Sequence, residues 1–395
     1  MDYKILLILF VFSGCAWNIH QDDITKLKKE KDLVEEFSNK QEILDKFKED
    51  PNFSEESNIV TEIVKKETDK EDDKPEEEEE DEDEAYDRTS VPKVVREEPK
   101  KFEAPKEKRK KTPKVAEKKV APKPAAKSID LKKIEAKSIK TRYPKGYPKV
   151  LKGYDKKSEP LWKKFSPKIY IGEKMALDVK YFNITAGKIF IETLPIKKIG
   201  GRKTFHFFAR LKSAPFYEYI YKLDDYIESF MDIETYTPIK YALVQHETKQ
   251  DVDDLQLFDD EALKTYFWYK RKKNGQIKEV NKSAFIPKYF QDSVTPLFFM
   301  RGLPFKIGAK YEFPVITRAK LWIVKIEVVK IETIRIMGER IKAYKLKAET
   351  RYPGVLSKKG DIIFWFSKDA RKRFLKFEAK VKIGTITGEL VSFSK

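Results

Sequence analysis

The chain reads as all-β, with one antiparallel β domain of open or closed barrel type and one short helix, behind a long, disordered, charged tether. Three observations carry this. Aromatic and β-branched residues alternate with polar ones in short runs from about Tyr147 onward. Glycine or asparagine turn signals separate those runs at regular spacing. By contrast, the stretch from about Gln21 to Lys149 has few aromatics and dense charge, and so too little apolar surface to offset its chain entropy. We therefore divide the chain into a leader (1–14), a tether (15–146) and a β domain (147–395).

The leader comes first. After Met1-Asp2-Tyr3-Lys4, an apolar run from Ile5 to Phe12 ends in Ser13-Gly14-Cys15. A bilayer core requires roughly 20 apolar residues, so this run is too short to span one. It has the form of a signal peptide with small residues at its cleavage end. Ser13-Gly14-Cys15 resembles the lipobox of bacterial lipoproteins, and that resemblance implies acylation of the Cys15 thiol and membrane attachment through lipid. Ala16 stands where an aspartate would imply inner-membrane retention, so the resemblance points to the outer membrane, with the β domain on the periplasmic side. Cys15 is the only cysteine, and the fold must rest on its core without disulfides.

The tether has three parts. Apolar residues at Ile24, Leu27, Leu33, Val34, Phe37, Ile43, Leu44 and Phe47 recur at helical spacing over 22–48. An acidic tract over 71–87 includes an unbroken acidic run from Glu76 to Glu84. A basic tract over 93–149 mixes lysine and arginine with Pro105, Pro113, Pro122 and Pro124, the composition of a stiff extended spacer. Its charge leaves two readings open, adsorption to an anionic envelope polymer such as peptidoglycan or lipopolysaccharide, or a solubilising linker. The formal net charge of +18 also raises nucleic acid as a partner. The leader argues against it, and the basic tract lacks interleaved aromatics for base stacking.

In the β domain, strands are expected at Met175–Tyr181, Lys188–Leu194, Thr204–Leu211, Tyr217–Leu223, Tyr226–Asp232, Ile239–His246, Thr265–Lys270 and Gln276–Val280. Six more follow at Lys310–Thr317, Leu321–Ile334, Glu339–Thr350, Asp361–Ser367, Arg373–Val381 and Thr385–Phe393. The alternation breaks at Gln291–Arg301. There Asp292 is placed to cap a short helix, Leu297-Phe298-Phe299-Met300 to plug an apolar space, and Gly302 to end the helix.

Four motifs occur in order, Gly172-Glu173-Lys174 with Ala186-Gly187, Asp225-Tyr226-Ile227-Glu228-Ser229 with Thr237-Pro238, Gln291-Asp292-Ser293 with Arg301, and Asp361 to Ser367 with Arg373 and Glu378 to Val381. Together they resemble the bacterial envelope family called domain of unknown function 3108. The resemblance covers nearly the whole β domain and none of the tether. It implies export and an antiparallel barrel-type architecture, with no established activity.

No catalytic constellation is legible, and no enzyme, metal site or cofactor is expected. The three histidines, His20, His206 and His246, have no second ligand at metal spacing, and no glycine-rich phosphate loop or nucleophile elbow occurs. The acid pairs Asp224-Asp225, Asp253-Asp254 and Asp259-Asp260 are read as solvated turn residues. Asp292 and Arg301 form the best polar pair, open to two readings: contact with the headgroup of an amphiphile at a barrel mouth, or a helix cap and a structural ion pair. Tyr217, Tyr219 and Tyr221 would share one strand face and line either a groove or a sheet surface. The leading expectation is a binding or scaffold module whose interior holds an acyl chain or another apolar ligand. A structural envelope protein with a protein partner is the alternative, and a hydrolase comes last.

Overall fold

The computed structural model describes residues 41–53, 139, 141–351, 359–381 and 383–394. Cys15, the acidic tract and most of the basic tract lie outside them. Fourteen antiparallel strands form one sheet in the order β8-β7-β6-β5-β4-β3-β2-β1-β14-β13-β12-β11-β10-β9. They are β1 (Lys174–Tyr181), β2 (Ile184–Ile199), β3 (Arg202–Ser213), β4 (Leu223–Asp232), β5 (Pro238–Glu247), β6 (Gln250–Asp259), β7 (Lys264–Lys273) and β8 (Gln276–Phe285). The second half comprises β9 (Lys310–Thr317), β10 (Lys320–Ile336), β11 (Glu339–Arg351), β12 (Lys359–Ser367), β13 (Phe374–Lys380) and β14 (Thr385–Ser394). Within each half the chain meanders from one strand to its neighbour. The pairing of β1 with β14 joins the halves.

The strands form where the alternation places one face in the core. In β1, Met175, Leu177 and Val179 are buried while the residues between them are not. The sheet is open, since β8 and β9 are its edges. Its β9 end is nonetheless drawn across the other half. Gln291 bridges Val315 in parallel, and Arg318 after β9 donates its backbone N–H to Gln256 Oε1 at 3.0 Å and Nε–H to Asp254 Oδ2 at 2.8 Å on β6.

Among the described residues four helices accompany the sheet, α1 (Gln41–Asp45), α2 (Lys149–Lys163), α3 (Pro215–Glu218) and α4 (Thr295–Arg301). The sequence reading expected one short helix in the β domain. It missed α2 because Gly153 and Pro160 interrupt the helical signal. Leu151, Asp155, Ser158, Leu161 and Trp162 nevertheless share its buried face, at spacings of three, four and seven. It also misplaced one strand and missed another. Tyr217–Leu223 is the end of α3, a loop and the first residue of β4, because Pro215 sets the backbone for a helical turn and Ala214 accepts the N–H groups of Tyr217 and Glu218. β6 is not expected from sequence because its adjacent acids read as a turn; Asp254 in fact points into the core toward Arg318.

Residues 41–53, read as tether, pack on the face of the sheet opposite the main core. Phe47 is buried beside Ile199, Phe230, Ile239, Leu257 and Trp268. Glu49 bridges Ile199, and Lys48 O accepts Gly200 N–H at 2.9 Å. Gly200 has φ +54, and a Cβ there would lie 1.9 Å from Lys46 O, so the close approach requires glycine.

Candidate functional site

The centre of the core is α4, all seven of whose residues are buried. Asp292 is placed as expected. Its Oδ1 accepts the N–H groups of Val294 and Thr295 at 2.8 and 2.9 Å and the Thr295 hydroxyl at 3.0 Å. Its Oδ2 accepts the Ser229 hydroxyl from β4. Burial pushes the Asp292 carboxyl up and these hydrogen bonds oppose that rise. Phe298 stacks on Phe207 of β3 at 3.8 Å between centroids, and Phe299 lies between Trp162 and Phe165 at 4.4 and 4.7 Å. The apolar space at this point is therefore filled by the protein's own side chains.

Gly302 follows the helix, but for a different reason than a left-handed cap. Its φ is −80°. A Cβ there would lie 2.0 Å from the Phe165 ring and 2.7 Å from Ser166 O. What glycine supplies is space.

At the far end of α4, Arg301 lies 0% exposed in a fork-to-fork pair with Glu173, which is 1% exposed. Nη1–H donates to Glu173 Oε1 and Nη2–H to Oε2 at 2.9 Å. Nη2–H and Nε–H also reach Arg371 O, at 3.1 and 3.4 Å. Arg301 thus forms an ion pair with Glu173, not with Asp292. Nearby, burial and then the charges of Lys168 and Arg301 push the Lys372 ammonium down to about 8.

A second polar group lies on the core face of β4 and β5. Gln245 Nε2 donates to Asp225 Oδ2 at 2.9 Å and to Glu247 Oε1 at 3.2 Å, joining two carboxylates through one amide. Tyr221 donates its hydroxyl to Glu247. Burial, reinforced by the Glu247 charge, pushes Asp225 up to about 7. Its neighbour Asp224 points to the other face and pairs with Arg210 at 2.7 Å. The two other acid pairs divide similarly. Asp254 is buried against Arg318, and Asp259 closes the turn after β6 while Asp260 pairs with Arg202 at 2.8 Å. These residues therefore include buried structural acids rather than solvated turn residues alone.

The three tyrosines do not share a face. Tyr217 is on α3, Tyr219 projects 94% exposed, and Tyr221 turns back to Glu247. His206 is buried, hydrogen-bonded to Glu228 at 3.0 Å and stacked on Phe230.

A concave feature that sequence reasoning missed is a groove of about 430 Å³ between α2 and the edge strand β9. Leu161, Phe313, Pro314 and Ile323 form its apolar floor, with Lys157, Lys164 and Lys310 among its other lining residues. The buried spacing within α2 was its only signal, because the partner strand is some 150 residues away.

The profile of the family described as protein of unknown function (DUF3108) matches residues 176–391, over half of the chain. The chain belongs to that family. Three of the four motifs of this DUF3108 domain, spread over about 130 residues, meet around α4: Glu173 pairs with Arg301, and Ser229 with Asp292. No curated protein matches the chain. Among solved structures it is similar to a β-barrel-like protein of domain of unknown function DUF1849 from Brucella abortus, at 11% identity and TM-score 0.37, over 57% of this chain and 97% of that one. It is also similar to a Bacteroides fragilis protein with a YmcC-like fold, at 10% identity and TM-score 0.27, over 58% and 99%.

Proposed function

We propose that this chain is an exported bacterial lipoprotein, acylated at Cys15 and anchored in the outer membrane, whose DUF3108 domain acts as a binding or scaffold module in the periplasm. The leader and the lone cysteine support the anchor. Loss of membrane association in a Cys15→Ser chain is the expected result, and persistent association would defeat this half of the reading.

The groove supports the binding half. Small-molecule sites are concave and mostly apolar, with a few placed polar groups and volumes of roughly 300–1,000 Å³. An apolar floor with three lysines near it, and with Glu312 paired to Lys325 at 2.8 Å, complements an acyl chain bearing an anionic head. Native mass spectrometry of the full chain should find a co-purified lipid that Leu161→Trp, which fills the floor, expels. Identical bare masses for both proteins would sink the idea.

A second reading rests on the basic tract, whose lysine density suits an anionic polymer. Deleting 93–145 should then abolish sedimentation with purified peptidoglycan, and unchanged sedimentation would rule the tract out.

A further inference from the structure

One end of the sheet carries a run of apolar side chains that the core does not use. Antiparallel connectivity places the β7–β8, β5–β6, β3–β4, β1–β2 and β13–β14 turns side by side at that end. Phe182 stands on the β1–β2 turn, Phe216, Tyr219 and Ile220 on the β3–β4 connection, Ile277 beside the β7–β8 turn and Ile383 on the β13–β14 turn. All six are more than half exposed, with Phe216 at 71% and Phe182 at 64%. The β1–β2 and β13–β14 turns touch, since the Tyr181 hydroxyl donates to Ile383 O at 2.8 Å.

Phe182 is also in a costly backbone conformation. Its φ is +48° in a two-residue turn with Asn183, a region that asparagine or glycine occupies easily and a bulky aromatic rarely does. Strain of this kind at an exposed aromatic points to use rather than stability.

Charge surrounds these residues. Lys222 and Lys272 are exposed at the same end, with Asp251 opposite Lys272 across β6 and β7. Arg271 and Lys278 stand directly opposite each other across β7 and β8, where like charges repel. Of the nearby acids, Asp224 pairs with Arg210, Glu218 with Lys212, and Asp251 lies 3.2 Å from His246 Nδ1.

We infer that this end of the DUF3108 domain docks on an anionic phospholipid bilayer, inserting the turn side chains at headgroup depth while the surrounding cations engage phosphate. Adjacent strands lie about 4.8 Å apart, so neighbouring hairpin tips are about 10 Å apart. Apolar residues on separate tips with cations between them fit a fluid interface better than a continuous protein surface. The inference goes beyond the proposed anchor and does not depend on it.

The test uses the unacylated full chain carrying Cys15→Ser, with vesicles of phosphatidylcholine alone or mixed with phosphatidylglycerol. Wild-type turns should sediment with the mixed vesicles. Phe182→Ser, Phe216→Ser and Tyr219→Ser together should lower partition about tenfold or more with an unchanged melting temperature, as lost apolar contact predicts. Tyr219→Trp should shift its emission to the blue on the same vesicles, and keep that shift when residues 93–145 are deleted. Equal partition of wild type and triple variant, or no shift, overturns the inference. So does a photo-crosslinker at position 219 that captures only protein in cell envelopes.

Discussion

Arg301 at the end of α4 and Glu173 before β1 form a doubly hydrogen-bonded ion pair with neither side chain exposed. The pair ties the buried helix to the first strand across 128 residues of sequence. Removing one partner strands a buried charge, whereas replacing both with apolar residues removes the desolvation penalty as well. Glu173→Ala should therefore cost about 3–5 kcal/mol in chemical denaturation. The double change Glu173→Leu with Arg301→Met should restore most of that loss. A double variant no more stable than the single one would contradict this account.

Asp292 lies just before the opposite end of the same helix. Its carboxylate serves two backbone N–H groups and two hydroxyls. Asp292→Ala should lose about 2 kcal/mol of unfolding free energy, the upper range for a cap. Ser229→Ala should lose about 1 kcal/mol, since it breaks one bond.

Asp225 predicts a pH dependence. Burial raises its folded value to about 7 from an ordinary 3.8, so the native state holds an extra proton between those limits. Its stabilising contribution is complete below the ordinary value and is lost as pH rises through about 7. Asp225→Asn should therefore raise the melting temperature at pH 8 but not at pH 4, by the equivalent of about 2 kcal/mol. Equal shifts at both pH values would exclude the titration as the cause.

Gly302 tests packing. Gly302→Ala forces a methyl into the Phe165 ring and Ser166 O. It should cost about 1–3 kcal/mol, the usual range for overpacking. Adding Phe165→Leu should recover part of the loss, and thermal unfolding of both variants would show it.

Phe47 decides where the folded unit begins. Phe47→Ala should cost about 3 kcal/mol by leaving a cavity against Trp268 and Ile199. A negligible effect in urea unfolding would return residues 41–53 to the tether.

Much of this was legible locally. Period-two alternation locates most of the strands, because burying one face of a pleated strand requires it, and β9 begins and ends at the expected residues Lys310 and Thr317. The cap at Asp292 was equally readable, since a carboxylate two or three residues from its donors needs no tertiary information. Tyr217–Leu223 failed because its aromatic spacing fits a strand while Pro215 selects a helical turn. Asp254 failed because nothing near it in sequence discloses that Arg318, 64 residues on, will neutralise it.

By itself the sequence determined the β class, the charged tract with little apolar surface, the lone thiol at Cys15 and the helix that interrupts the strands. Each of these is set by composition or by neighbours within about one helical turn, so a linear string contains it. Only the tertiary structure decided that Arg301 pairs with Glu173 rather than Asp292, that Phe47 belongs to the folded unit, and that α2 and β9 enclose a groove. It also brought Phe182, Tyr219 and Ile383 to one end of the sheet. Those outcomes depend on which distant strands become neighbours, and that is set by how the whole sheet pairs and buries its faces, not by any one segment of it.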